Sequence, residues 1–324
     1  MTTQLSQGKF TNLQELADTE GTFNFLGLAQ NKAAVQLTAK QQIEFTQLVA
    51  DALAATTTGT ILTATDNKQL HQVHQKQAGL ITLYDPHAKA QSQAPSLGRF
   101  VHTTHSNAVL LPLTYNPHAD NDQKLAFVER VGAEALAADL PLIISLTTTD
   151  ETATDKTQSE FAKKQPQLVL DTLKELTKPR YHIDILQIET PLNFDFVEGF
   201  TSQDVVPVYS RREAAKLLKE ASDITTIPFI YRSGLNTMTS FQAAVKFAGQ
   251  AGAKFAGITL DESLWETAVT EYLASGESGL NHELQHLQAD VQTLNATLEN
   301  YATPWYDRFG GLKQLDLFTN PFQL

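Results

Sequence analysis

The stretch "HIDILQIETPL" at residues 182–192 has the pattern of a β-strand that is buried on both faces. Gln187 and Glu189 interrupt the apolar run, and residues two apart in a strand project from the same face. A buried polar group without a partner costs about 1–3 kcal/mol. The pair therefore predicts that this strand faces a polar cavity, which must satisfy both an amide and a carboxylate.

Seven further short apolar runs are similar to this strand, and longer helical stretches separate them. The eight predicted strands cover residues 23–28, 60–64, 79–84, 107–113, 141–147, 183–190, 227–231 and 255–260. Alternating strands and helices predict parallel strands that are joined by crossover helices. Eight such units predict an α/β fold that closes into a (β/α)8 TIM barrel.

The length of 324 residues is large for one domain, but barrels of this type reach it as a single unit. We therefore predict one domain over residues 1–324, with an N-terminal lead-in at 1–20. A C-terminal helix and tail at 279–306 are predicted to pack on the barrel. Ser210 and Glu213 have the spacing of a capping box at the start of a helix.

The charge and the missing cysteines exclude several classes of function. Lys and Arg number 24 against 36 Asp and Glu, which gives a formal net charge of −12. This charge repels phosphate backbones and anionic lipids, so we expect no nucleic acid and no membrane as partners. A chain without cysteine has no disulfide, zinc–thiolate site or thiol nucleophile. Because the first residues lack the apolar segment of a signal peptide, we expect a cytoplasmic protein.

The stretch "NHELQH" at 281–286 matches the H-E-x-x-H pattern of zinc proteases through His282, Glu283 and His286. Apolar residues recur at steps of three and four through the same stretch, at Leu280, Leu284, Leu287, Val291, Leu294 and Leu298. These residues predict the buried face of an amphipathic helix, with both histidines on the opposite, exposed face. We therefore reject a zinc site here, and we expect neither a metal nor a cofactor.

Barrels of this type build their active sites at the C-terminal ends of the strands. The candidate binding residues at these ends are Gln30, Ser145, Gln187, Glu189, Arg232 and Ser233. Glu189 is the best acid–base candidate. Arg232, Ser233 and the Gly234 amide together predict an anion cradle, and the alternative for Arg232 is a rim residue that pairs with a carboxylate.

From about residue 20 to 306 the sequence resembles the tagatose 1,6-bisphosphate aldolases, bacterial class I aldolases with a (β/α)8 fold that act in galactose and lactose catabolism. The matching stretches are "LAFVERVGAEALAADLPLIISL", "DILQIETPLNFDFVEGF", "IPFIYRSG", "AAVKFAGQAGAKFAGI" and "ATPWYDRF", together with Trp265. The resemblance implies a phosphorylated keto sugar as substrate and a lysine that forms a Schiff base with it. By analogy with oligomeric relatives, we expect a homodimer.

The sequence departs from the family at the residues that carry this chemistry. The family's Schiff-base lysine on the sixth strand corresponds to Gln187, whose amide nitrogen is neither basic nor nucleophilic. The family's acid–base glutamate on the fifth strand corresponds to Ser145, whose hydroxyl cannot transfer protons efficiently near neutral pH. A second family lysine, on the fourth strand, corresponds to Leu110. We expect the Gln187 amide to donate a hydrogen bond to Glu189 in place of the lost ammonium.

The phosphate-binding residues of the family are changed as well. After the eighth strand, where the family has Gly-Arg, this chain has Asp261 and Glu262, whose charges would repel a phosphate dianion. After the first strand, the family's Asp-Gln-Arg corresponds to residues 29–31, where only Gln30 is retained. Glu189 and Ser233 are the other retained residues.

Three hypotheses remain open from the sequence. The first is a pseudoenzyme that has lost aldol cleavage and binds a small sugar, a sugar phosphate or a protein partner, with a regulatory role in carbohydrate metabolism. The second is a lyase or isomerase that acts on a sugar or sugar phosphate without a Schiff base and uses Glu189 as base. The third is an active aldolase, with a different alignment or with Lys32, just after the first strand, as its nucleophile.

Overall fold

Eight parallel strands form a closed barrel in a computed structural model of the chain. The structure describes residues 3–29, 36–66, 78–84, 97, 104–234, 237–261 and 265–319. The barrel strands are β2 (Phe23–Gly27), β3 (Gly59–Thr63), β4 (Gly79–Leu83), β5 (Ala108–Tyr115), β6 (Leu142–Thr148), β7 (Ile185–Ile188), β8 (Phe229–Arg232) and β9 (Gly257–Leu260). The eight predicted strands and the predicted TIM barrel are confirmed.

Each barrel strand pairs with the next one along the chain, and β9 pairs with β2 to close the ring. The inward side chains form a compact apolar cluster that includes Phe23, Phe25, Ile61, Ile81, Leu110, Ile143, Ile185 and Ile230. The outward side chains pack against the surrounding helices in a second, larger cluster. In this register Ser145 on β6 lies beside Gln187 on β7, so these two polar residues occupy one level of the barrel.

The helices surround the barrel, except for the first, which lies at the N-terminal end of the barrel. They are α1 (Gln7–Glu15), α2 (Ala39–Leu53), α3 (Asp122–Ala137), α4 (Ser159–Leu176), α5 (Arg211–Ile224), α6 (Met238–Gln250) and α7 (Glu266–Tyr301). The predicted capping box is confirmed at the start of α5, where Ser210 and Glu213 bond each other's backbone N–H groups. Among the described helices, none combines the length and the apolar character that a membrane span requires.

The first and last elements close the N-terminal end of the barrel. Helix α1 places Leu13 against the inner apolar cluster, and so does Leu16, the residue that follows the helix. Ahead of α1, strand β1 (Thr3–Ser6) pairs in parallel with β10 (Leu315–Phe318). An ion pair fixes α1 to the barrel, because Lys9 Nζ lies 2.7 Å from Asp184 Oδ2 just before β7, and both side chains are at least nine-tenths buried.

The long C-terminal helix α7 begins earlier than the predicted residue 279. At Gly276 its backbone leaves the helical conformation (φ 63°, ψ −149°), so α7 consists of two helical parts that meet at a kink. A positive φ of this kind suits glycine, which has no Cβ to clash with the backbone. The predicted apolar face of the second part is buried, and His282 and His286 are exposed, as the pattern predicted.

Candidate functional site

A small cavity lies between the C-terminal ends of the barrel strands. Its described lining is apolar on one side, with Ile61, Leu83 and Leu110, and it carries polar groups on the other, with Ser145, Gln187, Arg232 and Asp261. The cavity volume is about 50 Å³. This volume holds a few water molecules, whereas small-molecule sites usually measure about 300 Å³ or more.

Gln187 forms the polar floor of this cavity. Its side chain is 2% exposed, and its Oε1 atom is buried without a hydrogen-bond partner. Ser145, directly beside it on β6, is 8% exposed. A buried amide oxygen without a partner costs free energy, and polar atoms of this kind are often found where a ligand binds.

Glu189 faces a second cavity of about 110 Å³, next to the first, and not the floor that Gln187 forms. Strand β7 ends at Ile188, so the two-residue alternation of a strand no longer sets the direction of Glu189. The predicted hydrogen bond from Gln187 to Glu189 is therefore wrong. Glu189 Oε2 instead accepts a hydrogen bond from Lys156 Nζ at 2.6 Å.

Lys156 was not among the residues that the sequence singled out. It lies in the polar segment between β6 and α4, residues 149–158, which has no periodic pattern and contains several charged side chains. Asp150 orders this segment, since it accepts hydrogen bonds from Thr152 and from Lys164. These bonds, of which the one from the Thr152 hydroxyl has the largest effect, hold the pKa of the Asp150 carboxyl well below its usual range.

Arg232 lines both cavities, and it pairs with a carboxylate of the chain itself. Its Nε atom lies 2.8 Å from Asp261 Oδ2, and the Gly234 N–H donates to the same oxygen at 3.3 Å. The Asp261 N–H in turn donates to Ser233 Oγ at 2.9 Å. Of the two alternatives for Arg232, the structure thus has the ion pair. The Arg232 side chain and the Gly234 amide, two of the three groups of the predicted anion cradle, both donate to Asp261.

Several predicted site residues lie outside the described part of the chain. These are Gln30, Asn31, Lys32 and Glu262. Ala29, the neighbour of Gln30, lines the first cavity. The strand end beside it is fixed by Trp265, whose buried indole N–H donates to the Gly27 carbonyl at 3.1 Å.

Comparison with known proteins identifies the family. Residues 28–266 match the family model described as DeoC/LacD family aldolase. The chain belongs to the DeoC/LacD aldolase family. It is 30% identical to the tagatose 1,6-diphosphate aldolase of Listeria monocytogenes over 96% of this chain and 98% of that protein. It is also 30% identical to the tagatose 1,6-diphosphate aldolase of Staphylococcus aureus, over 94% of this chain and 99% of that protein.

Solved aldolase structures share the fold of this DeoC/LacD family member. A fructose-bisphosphate aldolase from Plasmodium falciparum matches with a TM-score of 0.63 at 10% identity, over 93% of this chain and 98% of that one. A fructose-bisphosphate aldolase from Slackia heliotrinireducens matches with a TM-score of 0.58 at 11% identity, over 91% of this chain and 90% of that one. At such identities the likeness shows a common barrel fold, and it carries no information about the reaction.

Proposed function

We propose that this member of the DeoC/LacD family has lost aldol cleavage and acts as a ligand-binding pseudoenzyme with a regulatory role in carbohydrate metabolism. The observation that carries the proposal is the floor of the barrel cavity. There an amide, Gln187, and a hydroxyl, Ser145, lie side by side, and the described lining of that cavity contains no lysine.

Class I aldol cleavage needs an amine that captures the substrate's carbonyl carbon and an acid–base group beside it. An amide supplies no nucleophilic nitrogen, and the one carboxylate among the described lining residues, Asp261, is held by Arg232. The buried amine of Lys9 lies at the opposite end of the barrel, paired with Asp184. Asp184 lies three residues before Gln187 along the extended chain, a separation of about 10 Å.

The same floor supports the binding of a small polar molecule. Gln187 can accept through its unpartnered Oε1 and donate through its amide N–H groups, and Ser145 can both donate and accept. A sugar hydroxyl matches this combination of donors and acceptors. The present volume of about 50 Å³ means that a sugar would have to displace side chains at the mouth.

Borohydride trapping tests the loss of the Schiff base. The protein is incubated with tagatose 1,6-bisphosphate, reduced with borohydride and weighed intact by mass spectrometry. We expect no mass gain, whereas the tagatose 1,6-diphosphate aldolase of Listeria monocytogenes serves as the positive control. A stable gain on this chain would overturn the proposal, and peptide mapping would then identify the lysine, with Lys32 and Lys156 as the first residues to inspect.

A second candidate function, a lyase or isomerase, is favoured by the pair of Lys156 and Glu189 beside Arg232. A carboxylate next to an ammonium can remove a proton from the carbon beside a carbonyl, while the ammonium stabilises the developing oxyanion. Deuterium exchange from solvent into tagatose, fructose and their phosphates, followed by NMR, tests this chemistry. Exchange that disappears in Glu189→Gln would support it, and no exchange would favour the pseudoenzyme.

The proposed pseudoenzyme binds a small sugar, a sugar phosphate or a protein. A thermal-shift screen of free and phosphorylated sugars distinguishes these classes of ligand, because a ligand at about 100 times its Kd stabilises the folded protein by about 2.7 kcal/mol. No response to any sugar would favour a protein partner. The homodimer expected by analogy is measured by light scattering of the purified chain.

A further inference from the structure

The Arg232 side chain and the Gly234 amide together form a site for a negatively charged oxygen. Both N–H groups donate to the same atom, Asp261 Oδ2, at 2.8 and 3.3 Å. The arginine and aspartate side chains are only 19% and 14% exposed. Because hydrogen bonds to a carboxylate are charge-assisted and this pair is largely withdrawn from water, the contact competes effectively with an external anion.

We propose that Asp261 is a tethered anion, which occupies the anion-binding position of the barrel mouth and restricts the ligand to uncharged polyhydroxy compounds. This inference rests on the proposed ligand-binding function and deepens it by defining the class of ligand. A phosphate ester would have to displace a carboxylate that the chain itself holds in place. It would also meet that carboxylate's charge at close range.

In the neighbouring cavity, each cation among the described lining residues, Lys156 and Arg232, is already paired with a carboxylate of the chain. The ammonium of Lys156 is paired with Glu189 there, and Asp195 adds another carboxylate to the described lining. The two cavities therefore contain at least as many carboxylates as cations among their described residues. These carboxylates do not repel an uncharged ligand that hydrogen-bonds to Gln187 and Ser145, whereas a phosphate ester meets net electrostatic repulsion.

The test measures the binding of inorganic phosphate by isothermal titration calorimetry, at an ionic strength held constant with sodium chloride. We expect weak or undetectable binding to the native protein. Asp261→Ala should bind phosphate at least about tenfold more tightly, since one or more charge-assisted hydrogen bonds become available to the ligand. Asp261→Asn keeps the shape of the side chain and should give a smaller gain. It serves as the second variant if the alanine variant does not fold.

Two controls show where any new binding occurs. Asp223→Ala also removes the partner of a cation, Lys219, but on the exposed surface, and it should leave phosphate binding unchanged. Adding Arg232→Met to Asp261→Ala should abolish the gain. Unchanged phosphate affinity in both Asp261 variants would overturn the inference, and so would tight binding by the native protein. Neither outcome bears on the borohydride experiment, so a failure of the inference is distinguishable from a failure of the proposed function.

Discussion

At the scale of single residues, two buried glutamines differ in whether their side-chain amides are hydrogen-bonded within the protein. Gln165 is 7% exposed, and its Nε2 atom donates to the Thr190 carbonyl at 2.9 Å. Gln187 is more deeply buried, yet its Oε1 atom has no partner. A residue that lowers stability without a structural role is typical of a binding site.

Replacing Gln187 by methionine should therefore stabilise the fold. We expect Gln187→Met to raise the free energy of unfolding by about 1 kcal/mol, because an unpartnered amide oxygen is replaced by an apolar side chain of similar volume. Urea denaturation measures the change. Gln165→Met is the matched control and should destabilise the protein by about 1 kcal/mol or more, since it leaves the Thr190 carbonyl without its donor. Equal effects of the two substitutions would contradict this interpretation.

At the scale of elements, the segment from 149 to 158 positions Lys156, and Asp150 orders it. Because hydrogen bonds lower the pKa of Asp150 in the folded protein, its contribution to stability is fully present above the ordinary carboxyl pKa of 3.8. The contribution is lost as the pH falls from there towards the lowered pKa. Asp150→Asn should thus be less stable than the native protein at neutral pH.

The pH dependence of the stability difference between the native protein and Asp150→Asn tests this prediction. Urea unfolding of both proteins at neutral pH and at about pH 3 should show a smaller difference at the acidic pH. A difference that stays constant over this range would mean that the charge of Asp150 does not stabilise the segment.

The start of α5 allows a second prediction at this scale. The side chain of Ser210 accepts from the Glu213 N–H, and the Glu213 carboxylate accepts from the Ser210 N–H at 2.9 Å. Ser210→Ala should cost about 1 kcal/mol of stability, as loss of an N-cap usually does. Thermal unfolding monitored by circular dichroism checks the value, and Ser210→Asp, which preserves the cap, should remain close to the native protein.

Local patterns predicted the elements well, and they failed where a contact depends on distant parts of the chain. The strands and the Ser210 cap follow from neighbouring residues, so the sequence alone was sufficient for them. Lys156 meets Glu189 across 33 positions, and Lys9 meets Asp184 across 175. The alternation pattern gives the wrong direction for Glu189, because β7 ends at Ile188 and its end depends on pairing with adjacent strands.

At the scale of the whole molecule, the ion pair of Lys9 and Asp184 connects helix α1 to the barrel. Lys9→Met removes the cation and leaves Asp184 nearly buried, with the Leu142 N–H at 2.8 Å as its other donor. We expect a loss of about 3–5 kcal/mol, the usual cost of an uncompensated buried charge. Urea denaturation measures it. Lys219→Met, which breaks an exposed pair, should cost less than about 1 kcal/mol. A similarly small effect for Lys9→Met would show that the pair does not hold the helix.

The parallel pairing of β1 with β10 leads us to expect that this two-stranded sheet resists a force applied to the two ends of the chain. Thr3 lies opposite Leu315 and Ser6 opposite Phe318, so tension applied at the two ends of the chain pulls the strands past each other lengthwise. The hydrogen bonds between the two strands then bear the force together, in shear, and do not break one after another. In single-molecule pulling, we expect the first rupture at this two-stranded sheet, before the barrel extends.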